Sequence, residues 1–273
     1  MSTSAGVPEL VAADSFRVRV RDGRAEVRGF ERHIARFRWA VSDATAAGES
    51  LSAQAISAAD AFLAEAISEI ARFGEGFPRL EMWRTPDGST RFALSLRPLP
   101  PLGEALQLTS VVAAPSARAR RKGPNIASYS ALNRKLSAEA VLVDATGFVR
   151  EGATTSLICW PDKSDETGYV IDSDARVASV TEAILVAAAE QRLLGKKPNG
   201  PRAGLLARAT AGVSDLQRSE VWAVNALHGI RRVSHIDGVT LPSHNASRLQ
   251  LFREALDRSW QPVEPSAHGD ARP

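Results

Sequence analysis

One cysteine, Cys159, stands in a chain of 273 residues. No intrachain disulfide can form, and no cysteine cluster can hold a metal. The residue lies in the apolar run SLICW, which predicts a buried core thiol and fits a reducing compartment. The five histidines (His33, His228, His235, His244, His268) show no metal-ligand spacing, so no metal is expected. Long hydrophobic runs are missing too. The richest, AILVAAA, is far too short to cross a bilayer. The stretch MSTSAGVPELVAADSF lacks a basic start followed by a long apolar core. No signal peptide is therefore expected, and the expected location is the cytoplasm. Charge of one sign is not in excess either: 34 basic against 31 acidic residues leave a net +3. That balance asks for neither nucleic acid nor membrane. The one dense basic stretch, RARRK, has no aromatics interleaved, which speaks against a nucleic-acid surface.

What is present is an ordinary globular balance, with 44% hydrophobic and 24% charged residues. SFRVRVRDGR alternates apolar and basic residues into Asp-Gly, a strand entering a turn. Phe30, Ile34, Phe37 and Val41 repeat at helical spacing. AQAISAADAFLAEAISEIARFG reads as an amphipathic helix stopped by Gly74, and RLEMWRTPDGSTRFALSL as a hairpin around Pro-Asp-Gly. ALQLTSVVAAP is a strand, and PSARARRKGP a linker rich in Pro, Gly and Arg. Beyond it come a helix (NIASYSALNRKL), strands (EAVLVD, FVREG, TSLICW) and a helix opened by a capping box of Ser179 and Glu182. A strand–turn–strand, SEVWAVNALHGIRRV, and a last helix, SHNASRLQLFREALDRSW, follow. Strands and helices mix on both sides of residue 120, so the expected class is α/β (α+β) in two domains. The expected boundaries are 1–115 for a smaller N-terminal α/β domain, 116–124 for the linker, 125–260 for a C-terminal α/β domain and 261–273 for a disordered tail.

Four patches in order make the chain resemble the class IV aminotransferases. These are the fold-type IV pyridoxal-phosphate enzymes, which include branched-chain and D-amino-acid aminotransferases and aminodeoxychorismate lyase. The patches are RHIARF, RKGPN, VLVDATGFVREGATTSL, and the pair SVTEAIL and VNALHGI. Taken alone, each is a solvated charge or an ordinary turn. Together they imply the two-domain fold of D-amino-acid aminotransferase and a site for pyridoxal 5'-phosphate between the domains. They also imply a homodimer with residues of both subunits at the substrate site, and an amino acid or oxo acid as substrate.

Residue by residue, the resemblance implies that Arg36 reaches the cofactor phosphate, as a guanidinium fork can. Lys122 forms the Schiff base with the cofactor. A free lysine amine, with a reference pKa of about 10.4, is a poor nucleophile until positive charge or desolvation lowers it. Arg120 and Arg121 are the nearest such charges in sequence. Glu151 faces the pyridine nitrogen and keeps the ring electron-accepting. Val180 and Thr181 at a helix start, and Asn225, Ala226 and Leu227 in a turn, offer groups to the phosphate. Arg97 in LSLRPLP and His228 are the candidates facing the substrate.

The chain departs from the family pattern in three places. Ile126 stands where a tyrosine usually follows the lysine, with Tyr129 further on. Thr155-Ser156 replaces Ser-Asn, and Ser179 and Glu182 replace a glycine and an arginine at the helix start. The capping box predicts that Glu182 folds back onto the Ser179 amide instead of facing an anion. The resemblance implies transamination, with elimination of the lyase kind as the alternative. A third reading is a non-catalytic relative that binds anions.

Overall fold

The computed structural model describes residues 7–47, 53–161, 167–194 and 205–264. The chain divides into two compact units. The first contains Met1–Pro100, Arg121–Pro124 and Trp260–Pro273; the second contains Pro101–Arg120 and Asn125–Ser259.

In the first unit β1 (Glu9–Ser15), β2 (Val18–Arg21) and β3 (Arg24–Arg28) precede α1 (Phe30–Ala46) and α2 (Ala53–Phe73). The hairpin β4 (Arg79–Arg84) and β5 (Thr90–Ser95) completes its sequence-local part. The β2–β3 turn uses Asp22 and Gly23 at positive φ, 51° and 74°, the backbone that Asp-Gly takes most readily. The strands form two three-stranded sheets, β1–β4–β5 and β15–β3–β2, where β15 is the C-terminal Trp260–Pro262. Phe16, Phe37, Leu63, Ile70, Leu80 and Met82 are all fully buried, and Phe62 stacks on Phe92 with centroids 5.4 Å apart. The helical periods of α1 and α2 thus point their apolar stripes into a common core.

β15 departs from the expected disordered tail. Trp260, Gln261 and Pro262 pair antiparallel with Arg28, Val27 and Glu26. The indole of Trp260 carries the guanidiniums of Arg19 and Arg28 at 4.2 and 4.5 Å from its centroid. Two guanidiniums over one indole favour an ordered tryptophan through cation–π attraction. Residues 265–273 of the expected tail lie outside the described residues.

The second unit is built on a nine-stranded mixed sheet. Its strands are β6 (Ala105–Val112), β7 (Glu139–Val143), β8 (Val149–Gly152), β9 (Ser156–Pro161), β10 (Thr167–Ile171), β11 (Leu205–Ala209), β12 (Ser219–Asn225), β13 (Gly229–Ile236) and β14 (Val239–Thr240). The helices are α3 (Ile126–Leu136), α4 (Val180–Leu194), α5 (Val213–Gln217) and α6 (Ala246–Asp257). β6 pairs with β7 and β13, so residues 101–115 belong to the second unit although the sequence reads them before the linker. Both faces of β9 are covered. Leu157 and Cys159 pack with Val141, Val221 and Leu216 of α5, while Ile158 and Trp160 pack with Trp222, Leu185 of α4 and Phe252 of α6. The two-residue period of a strand sends alternate side chains into two cores, which is why SLICW carries no polar face. Cys159 is buried, and its thiol is pushed up to about 12 by burial first and then by Asp215. Among the described residues no helix is long and apolar enough to cross a membrane, and no group of acids, His or Cys is placed to hold a metal.

Candidate active site

Asp14 organises the site residues of the first unit. It sits near the end of β1 with no exposed surface. His33 and Arg36, three residues apart on α1, lie on one helix face and both reach it. The His33 Nδ1–Asp14 Oδ1 distance is 2.8 Å. Arg36 donates from Nε to Oδ2 at 2.7 Å and from Nη2 to Oδ1 at 2.8 Å, a two-pronged guanidinium–carboxylate pair. Burial alone would raise the Asp14 carboxyl, but Arg36 and His33 overcome it and hold it well below the usual carboxylate range. Burial lowers His33 to about 4 against the pull of Asp14, so at neutral pH the imidazole is uncharged and its contact is a hydrogen bond.

A pH dependence follows. The folded pKa of His33 lies below its ordinary 6.5, so the unfolded chain binds the extra proton first as pH falls. Stability drops between about 6.5 and 4, and Asp14 adds a further loss at lower pH. Thermal melts across this window should show a shallower acid loss in His33→Gln than in the wild type. Equal slopes would mean that His33 does not set the acid limit.

Lys122 is fixed to the same strand. The Ala13 N–H donates to the Lys122 carbonyl at 2.8 Å. The next residue, Gly123, has φ +134°, and a Cβ there would stand 2.7 Å from Ala12 C and Ala13 N. Only glycine lets the backbone lie this close, which explains the Lys-Gly pair. The Lys122 ammonium is pulled down to about 8 by burial first, then by Arg36, with Arg79 and Arg97 adding to it and Asp14 opposing. The expected neighbours act differently: Arg121 turns to Asp43 at 3.8 Å. Arg97 donates to the Phe77 carbonyl (3.0 Å) and the Ser15 hydroxyl (3.1 Å) and lies over the Phe77 ring.

The other sequence-predicted residues belong to the second unit. Glu151, in β8, is buried. Its Oε2 accepts from the Val177 N–H at 3.2 Å, whereas its Oε1 is buried with no hydrogen-bond partner among the described residues. Burial pushes its carboxyl up to about 7, against the Val177 N–H and the charges of Arg176 and Arg150. Tyr129 of α3 lies near enough for Glu151, after burial, to raise its phenol.

Val180 and Thr181 open α4 and are both buried. Their N–H groups lie in the helix's first turn, where no intrahelical carbonyl reaches. The Ser179 hydroxyl accepts from the Glu182 N–H at 3.3 Å, but the Glu182 carboxylate does not return the bond. It is held instead by Arg176, with Nη1–Oε2 at 2.6 Å and Nη2–Oε1 at 2.9 Å. A charged partner outcompetes a backbone amide, so the expected capping box closes on one side only. The pairing also neutralises a carboxylate beside the helix start.

The β12–β13 turn is an Asx turn. Asn225 Oδ1 accepts from the Leu227 N–H (3.2 Å) and the His228 N–H (2.9 Å). The Leu227 amide assigned to a phosphate is therefore already engaged in this structure. His228 Nδ1 accepts from the Gly103 N–H at 3.2 Å, a contact that braces the turn. Thr155, at the departure from Ser-Asn, gives its hydroxyl to Glu139 at 3.0 Å.

Lys122, Arg36 and Arg97 thus fall in one unit, and Glu151, Val180, Thr181, Asn225, Ala226, Leu227 and His228 in the other. Sequence reasoning passes over Asp14, Ser15 and Arg79. Asp14 had one signal: a lone acid in the apolar run LVAADSF must find a cation once that run is buried.

The family model of amino-transferase class IV matches residues 13–236. No curated protein matches. Among solved structures the fold is shared with a T.th. branched-chain amino acid aminotransferase in complex with N-(5'-phosphopyridoxyl)-L-glutamate. That structure superposes at TM-score 0.70 with 14% identity over 96% of this chain and 100% of that one. A fold IV transaminase from Curtobacterium pusillum matches at TM-score 0.67, 17% identity, 90% of this chain and 86% of that one. A hypothetical aminotransferase from Mycobacterium tuberculosis matches at 0.65, 19%, 91% and 87%. With four-fifths of its length under one family model and its α/β architecture shared with these structures, this chain belongs to the class IV aminotransferase family.

Proposed function

We propose that the protein is a pyridoxal-phosphate-dependent aminotransferase that moves an amino group between an amino acid and an oxo acid, with Lys122 as its catalytic lysine. The observation that carries this reading is Lys122: its backbone is tethered to β1, and its amine is drawn to about 8. A lysine with that pKa has a sizeable neutral fraction near physiological pH. It can act as a nucleophile, and it can take up and return a proton at the substrate α-carbon. Solved relatives support the ligand class, since the Mycobacterium tuberculosis protein is also known in an α-ketoglutarate and PMP bound form.

The residues present fit the cofactor. Glu151 Oε1, buried and partnerless among the described residues, is the acceptor that a protonated ring nitrogen requires. The first-turn N–H groups of Val180 and Thr181 suit a phosphate, and Glu182 does not repel one because Arg176 holds it. Arg36, held by Asp14 through two N–H groups, is the guanidinium that the family resemblance gives to the phosphate. When bound, pyridoxal phosphate supplies a ring that accepts electrons from the substrate carbon. Lys122 positions and moves the proton, and Glu151 holds the opposing charge.

The test is the visible spectrum of purified protein supplied with pyridoxal phosphate, followed by borohydride reduction and peptide mapping. A pyridoxyl group on Lys122 supports the reading; a supplied cofactor that leaves no adduct there overturns it. Glu151→Gln should keep the Lys122 adduct while turnover falls roughly 10²–10³-fold, the range for loss of one preorganised polar partner. Unchanged turnover in that variant would remove Glu151 from the mechanism.

A further inference from the structure

One buried guanidinium spans the loop that runs from β10 to α4. Arg176 donates from Nε to Asp172 Oδ1 at 3.0 Å, just past the end of β10, and its Nη2 lies 2.9 Å from the same oxygen. On the other side its fork closes on both oxygens of Glu182, in the first turn of α4. Arg208, in β11, adds a longer contact to each carboxylate, 3.1 Å to Asp172 and 3.4 Å to Glu182. Burial works against the Arg176 charge, and Glu182 and Asp172 more than offset it. A planar guanidinium engaged through all three nitrogens fixes both ends of the loop at once.

The middle of that loop touches Glu151. Val177, the residue after Arg176, gives its N–H to Glu151 Oε2 at 3.2 Å. Arg150, the residue before Glu151, donates to the Ala175 carbonyl at 3.5 Å. Arg176 acts on the charge of Glu151 but sends it no hydrogen bond: among the described residues Oε2 has Val177 and Oε1 has no partner. A buried carboxylate and a nearby guanidinium ordinarily favour one another. Here Glu182 has already taken the fork. An arginine at 182, the usual residue of the family pattern, could not do so.

Resting on the pyridoxal-phosphate reading, we propose that Arg176 and Glu182 are positioning residues for Glu151. Together they hold the loop that fixes one carboxylate oxygen through Val177, and they keep the guanidinium off the other oxygen, which stays open to a protonated ring nitrogen. The groups acting on or answering to Glu151 are Arg150 on its own strand, Arg176 in the loop, Glu182 of α4 and the Tyr129 phenol of α3. Arg176 and Glu182 act with opposite sign: the arginine favours the Glu151 carboxylate and the glutamate opposes it.

The first measurement is the infrared band of the protonated Glu151 carboxyl in cofactor-free protein, identified by its loss in Glu151→Gln. Its wild-type pH midpoint should be about 7. Glu182→Gln leaves Arg176 less compensated and should lower that midpoint by about one pH unit, whereas Arg176→Met should raise it. A pair that only braced the loop would not move the midpoint in opposite directions. The second measurement compares dissociation constants for pyridoxal 5'-phosphate and 1-deazapyridoxal 5'-phosphate, which share aldehyde and phosphate and differ at the ring nitrogen. The wild type should favour the first by about tenfold, the discrimination expected of one charge-assisted hydrogen bond. Arg176→Met should bring that preference to within about twofold. If Arg176→Met does not fold, Arg176→Met/Glu182→Leu carries the test, because apolar side chains can replace a buried ion pair and Arg208 still pairs with Asp172. A midpoint that stays or rises in Glu182→Gln overturns the proposal, as does a preference that survives in the Arg176 variants. Equal binding of both compounds by the wild type overturns it too, since Glu151 then meets no ring nitrogen. None of these results bears on the Lys122 adduct, which is read separately by borohydride trapping.

Discussion

Lys122→Met is expected to abolish amino transfer and at the same time make the protein more stable. The loss should be about 10⁴-fold or more, because nucleophile and proton carrier disappear together. The gain comes from the amine's surroundings. Burial and Arg36 disfavour its charge, placing the folded pKa at about 8 against an ordinary 10.5. Below about 8 both folded and unfolded chains carry the proton, and the folded state bears the full cost of the half-buried cation. As pH rises from about 8 towards 10.5 the folded state sheds its proton first, so wild-type stability increases through that window. Removing the amine should therefore stabilise cofactor-free protein by on the order of 1–3 kcal/mol at pH 7, and less at pH 10. Chemical denaturation of both proteins at the two pH values is the measurement. A variant that is no more stable at pH 7, or a gap that widens with pH, would show that Lys122 is not strained. A variant that still transfers amino groups would move the catalytic role elsewhere.

Asp14→Ala should be the most damaging single substitution for folding. It leaves Arg36, bound through two N–H groups, and His33 facing a buried space without their acceptor. Breaking a buried charge pair from one side costs about 3–5 kcal/mol, a large part of a typical domain's stability. Asp14→Asn should cost less, since an amide oxygen still accepts one bond. It is also the more informative change, because Asp14 raises the pKa of Lys122. Its neutral substitute should lower the pH midpoint of the free Lys122 amine, followed by the pH dependence of its modification rate in cofactor-free protein. A denaturation midpoint close to wild type for the alanine variant would mean that the cluster relaxes into water. An unmoved modification midpoint in Asp14→Asn would uncouple Asp14 from the lysine.

Much of the architecture follows from local chemistry. The period of α2, the Asp22-Gly23 turn, the hairpin at Pro86-Asp87-Gly88 and the buried run of β9 are fixed within a few residues of themselves. The order of the four patches was likewise legible, because each is a short stretch with its own spacing: Lys122 before Gly123, Glu151 before Gly152, and a helix start at Val180. The close approach of Gly123 to Ala12 and Ala13 gives a physical reason for one of those pairings.

Charge partners were not legible. Asp14 meets His33 and Arg36 across 19 and 22 residues, and Arg79 and Arg97 reach Ser15 across 64 and 82. A helical period says which side chains share a face, and it does not say which strand that face will meet. Glu182 shows the same limit at close range. Its spacing from Ser179 fits a capping box, yet Arg176 lies nearby in the fold and a guanidinium binds a carboxylate more strongly than a backbone amide does. Trp260 joins β3 for a reason equally absent from its neighbours in sequence: two arginines of the β2–β3 hairpin, far away along the chain, place their guanidiniums over its ring. The sequence by itself determined most of the longer elements and the family. Only tertiary structure decided which charges neutralise one another, because a buried ion is stabilised by whatever the fold brings within a few ångströms of it, however far away along the chain.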